Sequence, residues 1–335
     1  MLRFLARRLA ALVAVLLAVT ALAFGALNIL GDPLFNVVGF VASVDCDAVL
    51  AGEIEDVSGQ TAGGRGDCEI VEAARKEHRL DRALPVRYAY WLGDIVRGDF
   101  GTSFKNEMPV RQVIAEKLPK TVLLMVVAEV IGVVISIPWA VAAAYRANRR
   151  FDRASTVTSF GMLAIPNFAM GIILFYFFVV RWQVFPSRFE DTDLFARLKS
   201  MVLPGLTLGL PLAATYQRLL RTDLITTLQE DFVQMARAKG MSDRWIMFRH
   251  VLRPSLFSLV TVFGLSTAGL IGGSLVVENI FSIPGLGRAV VEAVIRDDFP
   301  IVLGSVVVIA TGFVVINFTV DVVYSFIDPR VRRDG

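Results

Sequence analysis

The sequence predicts an all-α polytopic membrane protein with six transmembrane helices. Three observations predict it. The 335 residues are 55% hydrophobic and only 19% charged, whereas soluble chains carry about 25% charged residues, and the mean hydropathy is +0.61. Six apolar runs, Leu9–Leu30, Thr121–Ala144, Thr156–Val180, Met201–Leu220, Leu256–Val277 and Ile301–Ile327, reach the ~20 residues that cross a hydrocarbon core ~30 Å thick. Of the acids, only Glu129 and Asp321 fall inside these runs. Charge at a bilayer centre costs at least ~2.5–3.5 kcal/mol on insertion scales, so this partition is what repeated crossing requires.

The first run follows Arg3, Arg7 and Arg8. A cleavable signal peptide would also begin this way, but the apolar stretch continues past Ala23 to Leu30, which favours a retained span. Residues 1–30 are therefore read as a basic tail and first helix, 31–120 as a long segment outside the membrane, and 121–335 as the core. Basic residues gather at the N-terminus, in Tyr145–Ser155, in Arg218–Pro254 (seven Arg or Lys against four acids) and in the tail at Arg330, Arg332 and Arg333. These segments alternate onto one side, which the positive-inside rule makes the cytoplasm. Both termini are expected there, with 31–120 on the outer side.

Cys46 and Cys68 both lie in that outer segment. A pair on the oxidising side of a membrane is a disulfide candidate. The stretch between them is polar and Gly-rich, with little apolar surface to bury. After it, Tyr88, Trp91, Leu92 and Ile95 recur at helical spacing, which predicts an interfacial helix ending at Gly98. Pro284 and Gly285 predict a turn, and Val290, Val291, Val294 and Ile295 a short helix after it.

Catalytic chemistry has no visible seat. The chain has no Gly-rich phosphate loop ending in Gly-Lys-Ser/Thr, no His-Glu-x-x-His and no Gly-x-Ser-x-Gly elbow. Its two histidines, His78 and His250, fall on opposite sides of the membrane. No catalytic residue, metal site, nucleic-acid site or bound cofactor is expected. The spans read better as a conduit. Pro138, Pro166, Pro204 and Pro211 interrupt three of them, and membrane prolines are tolerated where neighbours or a wet cavity satisfy freed carbonyls. An intramembrane carboxylate is a functional candidate by default. Glu129, Asn167, Gln217 and Thr267 are the polar candidates for a translocation path. Asp321 is expected to pair with a nearby arginine. The fifth run carries Gly264, Gly269, Gly272 and Gly273, which allow close helix approach, either to another subunit or within the chain.

Between the fourth and fifth runs stands "DFVQMARAKGMSDRWIMFRHVLRPSL", Asp231–Leu256. Gly240 stops one amphipathic helix, and Ser242 caps a second with Trp245, Phe248 and Leu252 on one face. Ala236 and Gly240 would let a partner come close. On these residues alone, a knob docking a cytoplasmic protein and a basic loop lying on anionic lipid stand equal.

The stretch Gln234–Gly240 with "RHVLRPSL" resembles the Glu-Ala-Ala-x-x-x-Gly coupling loop of ABC-importer permeases. Gln234 and Met235 stand at its Glu and first Ala, and Ala236 and Gly240 at its second Ala and Gly. "GDFGTS" at 98–103, "LPKTVLL" at 118–124, "AIPNFAMG" at 164–171, "VVENIFSIPGLGRAVVEAVIRDDFPIV" at 276–302 and "VDVVYSFIDPRVR" at 320–332 are similar to the dipeptide/oligopeptide branch. Only residues 35–75, with both cysteines, look like an insertion. The resemblance implies the type I importer permease fold and a B-type permease subunit of a bacterial inner membrane. It implies a heterodimer with a second permease, two ATP-binding domains that hold ATP and Mg, and an extracytoplasmic peptide-binding protein. It also implies a coupling loop, 221–255, in which Gln234, Met235, Ala236, Arg237, Ala238, Lys239, Gly240 and Met241 meet the ATPase. The substrate class would be peptides. Nickel or another small solute of the same branch, and a membrane sensor or scaffold, are the other readings.

Overall fold

The computed structural model describes residues 2–30, 65–77 and 79–327. Eleven helices appear in them: α1 Leu2–Leu30, α2 Arg65–Glu77, α3 Leu84–Val96, α4 Val110–Tyr145, α5 Arg150–Ala164, α6 Asn167–Phe175 with a π-helical extension Tyr176–Arg181, α7 Leu194–Thr227, α8 Asp231–Ala238, α9 Asp243–Ile280, α10 Leu286–Ile295 and α11 Phe299–Ile327. No strand occurs among the described residues; Thr102 and Pro109 form a single isolated bridge. Cys46 lies outside these residues, as does His78. Cys68 is buried and disulfide-bonded.

Among the described residues, five helices are long and apolar enough to cross a membrane, within α1, α4, α7, α9 and α11. The expected third span differs. It consists of α5 and α6, bent by 97° at Ile165-Pro166. Ile165 is extended, with φ −84° and ψ 119°, the conformation that proline imposes on the residue before it. The other prolines do not interrupt their helices: Pro138 lies inside α4, and Pro204 and Pro211 inside α7. The fourth and fifth spans also run beyond their apolar cores. α7 continues through Arg218 and Arg221 to Thr227, and α9 starts at Asp243.

The chain forms two compact units. One comprises residues up to Leu12, Lys117–Arg288 and residues from Thr311; the other comprises Val13–Glu116 and Ala289–Ala310. In the first unit, α7 packs on α5, α6 and α9. Small residues permit the crossing of α4 and α7. A Cβ on Gly209 would lie 2.8 Å from the Ala128 carbonyl oxygen, and one on Gly205 would lie 2.6 Å from Val127 Cγ1. Gly264 of α9 faces Val320 of α11 with no room for a Cβ, and a Cβ on Gly273 would lie 3.3 Å from Leu208 Cδ2, whereas Gly269 and Gly272 face open space. Two of the four glycines thus serve internal crossings. Asp321 accepts from Arg8 at 2.6 Å, the arginine partner its position predicts.

A buried polar seam joins α5 to α7. Asp152, Ser155 and Ser159 repeat at i, i+3 and i+7, one helical face, and meet Gln217 and Arg221. Arg221 grips Asp152 through two parallel N–H groups, Nε to Oδ1 and Nη2 to Oδ2 (2.6 Å for the second). Glu278, fully buried, organises the chain after α9. It accepts from Thr121 Oγ at 2.7 Å and from the Arg288 N–H at 2.9 Å, while Thr121 Oγ accepts from the Leu286 N–H. Gly285 lacks room for any Cβ because this carboxylate lies against it, and Gly287 because both the Leu275 Cα and the carboxylate do.

In the second unit, Phe24 of α1 packs on Tyr88 and Trp91 of α3, and the Thr20 and Tyr88 hydroxyls bond at 2.9 Å. The predicted interfacial helix is therefore held by aromatic contacts with α1. α2, in the stretch read as an insertion, buries Cys68, Val71 and Ala74, a spacing of three that forms an apolar helix edge.

Candidate functional site

The segment between α7 and α9 folds as a knob. α8 begins with Asp231 in its first turn, where the helix dipole favours an acid. Its end is a Schellman motif: the Gly240 N–H donates to Arg237 O at 2.9 Å and the Met241 N–H to Ala236 O at 3.2 Å. Gly240 has φ +79°, the left-handed turn this motif needs. Ser242 Oγ then caps α9 by accepting from the Trp245 N–H, and the Tyr145 hydroxyl donates to Asp243 O at 3.0 Å, tying the end of α4 to the start of α9.

The knob has two distinct sides. Val233 and Ala236 are buried in one apolar cluster with Ala140 and Val141 of α4, Tyr216, Leu220 and Leu224 of α7, and Ile246, Met247 and Val251 of α9. Fully burying a valine is worth about 1.5 kcal/mol or more, so α8 is fastened to three spanning helices. Outward stand Phe232, Met235, Met241, Trp245 and Phe248, all exposed, with exposed Arg237, Lys239, Arg244 and Arg249 among them. Trp245 and Phe248 lie on the exposed side of the second helix, while its π-helical turn Ile246–Val251 places Ile246, Met247 and Val251 in the cluster. One expectation is corrected here. Ala236 is not a surface for close approach, because its methyl group points into the protein's own core. A Cβ on Gly240 would meet nothing within 4 Å, so the requirement for glycine there is conformational. Of the predicted coupling residues, Gln234, Met235, Arg237, Ala238, Lys239, Gly240 and Met241 are exposed together and Ala236 lies beneath them.

Within the spans, a cavity of about 220 Å³ opens between α6, α7 and α9, with Asn167, Thr215 and Ser266 as its polar lining and Gly269 and Gly273 on the α9 side. Of the predicted path residues, Asn167 lines it. Glu129, 4% exposed, and Thr267 are not among the lining residues; Glu129 accepts from the Tyr216 hydroxyl at 2.8 Å and from Thr267 Oγ at 2.9 Å. Gln217 is elsewhere: its amide accepts from Ser159 and donates to Ser155, so it belongs to the α5–α7 seam. Thr215 and Ser266 were not singled out in the sequence. The signal was present as two stripes, Leu208, Pro211, Leu212 and Thr215 on α7 and Ser266, Gly269 and Gly273 on α9, each on one helical face.

Comparison with known proteins follows the same outline. Residues 136–333 match the family model described as "Binding-protein-dependent transport system inner membrane component". The oligopeptide transport system permease protein AppB of Bacillus subtilis (strain 168) is 37% identical over 276 residues, covering 79% of this chain and 87% of that protein. The glutathione transport system permease protein GsiC of Escherichia coli (strain K12) is 34% identical over 81% of this chain and 87% of its own length. The probable peptide ABC transporter permease protein y4tP of Sinorhizobium fredii is 34% identical, over 83% of this chain and 90% of its own.

Proposed function

We propose that this chain, which belongs to the family of binding-protein-dependent transport system inner membrane components, is the B-type permease subunit of an ATP-driven importer of short peptides. The observation that carries the reading is the two-sided knob. Its buried side is part of the packing of α4, α7 and α9, and its outward side is apolar and basic. A partner that moves the outward side moves three spanning helices with it. In this reading the knob faces the cytoplasm and docks an ATPase subunit. ATP and Mg reside on two such domains, and ATP binding there supplies the closing motion. A second permease subunit faces α5, α6 and α9, where Phe160, Phe168, Ile172 and Leu265 are exposed. An extracytoplasmic binding protein delivers peptide to the opposite end. The cavity between α6, α7 and α9 contributes one wall of a path that opens alternately to the two sides.

Peptides are favoured as substrates because relatives named for oligopeptide, peptide and glutathione transport match most of this chain. Glutathione is itself a tripeptide, so it belongs to the same chemical class. The test is Gly240→Asp in cells whose only copy of this chain carries the change. Aspartate is less strained in the left-handed turn than most side chains, so among charged replacements it disturbs the turn least while placing a negative charge on a basic docking surface. The expected result is normal abundance of the complex in the membrane with loss of labelled peptide uptake. Undiminished uptake would sink the docking role. Competition of uptake by defined peptides, glutathione and nickel then fixes the substrate class.

A further inference from the structure

A second cavity, of about 380 Å³, lies in the unit that contains α3, and the proposed function gives it no task. Its walls are specifically built. Gly98 and Gly101 take left-handed conformations, with φ of +85° and +75°, and Asp99 Oδ1 accepts from the Gly101 N–H at 2.9 Å between them. Buried Asp298 then accepts from Ser103 Oγ and from the Phe104 N–H, clamping this loop to the turn before α11. Phe100 can stand where it does because Gly304 leaves space: a Cβ there would lie 3.3 Å from its ring and 2.7 Å from Val110 Cγ1. The Gly-Asp-Phe-Gly-Thr-Ser stretch is thus the mould of this cavity.

The lining is amphipathic and charged at both ends. Arg87, Trp91 and Asp94 occupy i, i+4 and i+7 of α3, one helical face, and all three line the cavity. At one end Arg87 donates to Asn28 Oδ1 at 2.6 Å, and Asn28 is itself anchored by its amide nitrogen on Phe24 O. This fixes the guanidinium in place. At the other end stand the carboxylates of Asp94 and Asp99. Asp94 is held by Arg79 at 3.1 Å and by Arg97 at 3.7 Å, so its charge is partly balanced and Asp99 is the main acid at this end. Trp91, Phe100, Phe104 and Phe299 supply apolar walls.

We propose that this cavity binds a short peptide by its two termini, the carboxylate on Arg87 and the ammonium between Asp94 and Asp99, with a side chain against Trp91 and Phe100. The chemistry asks for a zwitterion, and a guanidinium is the favoured partner of a carboxylate. The charges on α3 are seven residues apart, about 10.5 Å at the helical rise. An extended peptide advances about 3.3–3.6 Å per residue, so two or three residues bridge them. A volume at the small end of the range for ligand pockets agrees. Choosing a peptide as the zwitterion rests on the proposed function. A phosphatidylethanolamine headgroup offers the same pair of charges on a shorter spacing.

The test measures binding of labelled Ala-Phe-Ala to the purified complex containing the full chain, in nanodiscs free of phosphatidylethanolamine and without any soluble binding protein. Saturable binding is expected, weakened at least tenfold by N-acetylation or by C-terminal amidation. Arg87→Gln should abolish the effect of amidation and keep that of acetylation; Asp99→Asn should do the reverse. This reciprocity separates contact with the ligand from loss of fold, which would weaken every form alike. Absence of saturable binding, equal weakening of all peptide forms, or equal competition by glycerophosphoethanolamine would each overturn the proposal. Peptide uptake by cells carrying the same variants reports separately on the import reading, which stands if uptake persists while this site fails.

Discussion

Arg221 and Asp152 are two charges that a linear reading counts among the basic and acidic residues of loops. In the folded chain they form one bidentate pair whose side chains are 24% and 4% exposed, continued along α5 and α7 by Gln217, Ser155 and Ser159. Asp152 has a third partner in the Asn148 N–H at 2.8 Å. Breaking a buried pair from one side leaves an uncompensated charge and costs about 3–5 kcal/mol; the partial exposure of Arg221 places this pair at the lower end. Asp152→Asn and Arg221→Gln should therefore each destabilise the detergent-solubilised protein by about 3 kcal/mol, and the double variant by clearly less than the sum. A coupling energy near zero in that cycle would show that the two side chains act independently. The individual residues were legible as polar positions, and Asp321 even as a residue awaiting an arginine. Gln217 was legible as polar but not as structural, because its partners are 58 and 62 positions away and only the packing of α5 on α7 reveals them.

The elements were legible where hydrophobic runs define them, and less so where a helix leaves the apolar zone. α7 and α9 continue into charged sequence because an amphipathic helix persists in water when one face is packed; Leu220, Leu224, Ile246 and Met247 supply that face. Prolines were ambiguous for a related reason. Pro166 breaks its span while exposed Pro138, buried Pro204 and half-buried Pro211 do not; for the two in α7, the packed helices α5, α6 and α9 are the kind of neighbours that make a missing donor tolerable. The crossing of α4 and α7 went unread, although Gly205 and Gly209 form a Gly-x-x-x-Gly pair of the kind that brings membrane helices together. It is also the element most sensitive to a methyl group. A Cβ on Gly209 meets a backbone carbonyl at 2.8 Å and Ile131 Cγ2 at 2.9 Å, neither of which yields without moving α4. Gly209→Ala should cost about 1–3 kcal/mol, the usual penalty of overpacking. Gly272→Ala, which enters open space and removes a poor helix former, should leave the chain as stable or slightly more so. Thermal unfolding of both variants in one detergent checks this, and a similar melting point for the two would refute the close crossing.

For the whole molecule, the distribution of charge carries an orientation that no single contact can. The basic segments of the sequence alternate from span to span, so the positive-inside rule predicts the knob at Ala238 in the cytoplasm and the loop around Lys105 outside. Both residues are exposed, which makes each a reporter. In cells expressing Ala238→Cys or Lys105→Cys, a membrane-impermeant maleimide should label Lys105→Cys in intact cells. It should reach Ala238→Cys only after permeabilisation or in inverted vesicles. Cys68 is already engaged in a disulfide, so in its oxidised form it does not compete for the reagent. In the proposed function the knob meets an ATPase from the cytoplasm and the site beside Arg87 takes peptide from outside, so each label tests one of these proposals. Labelling of Ala238→Cys in intact cells, with Lys105→Cys protected, would invert the topology and remove both assignments at once.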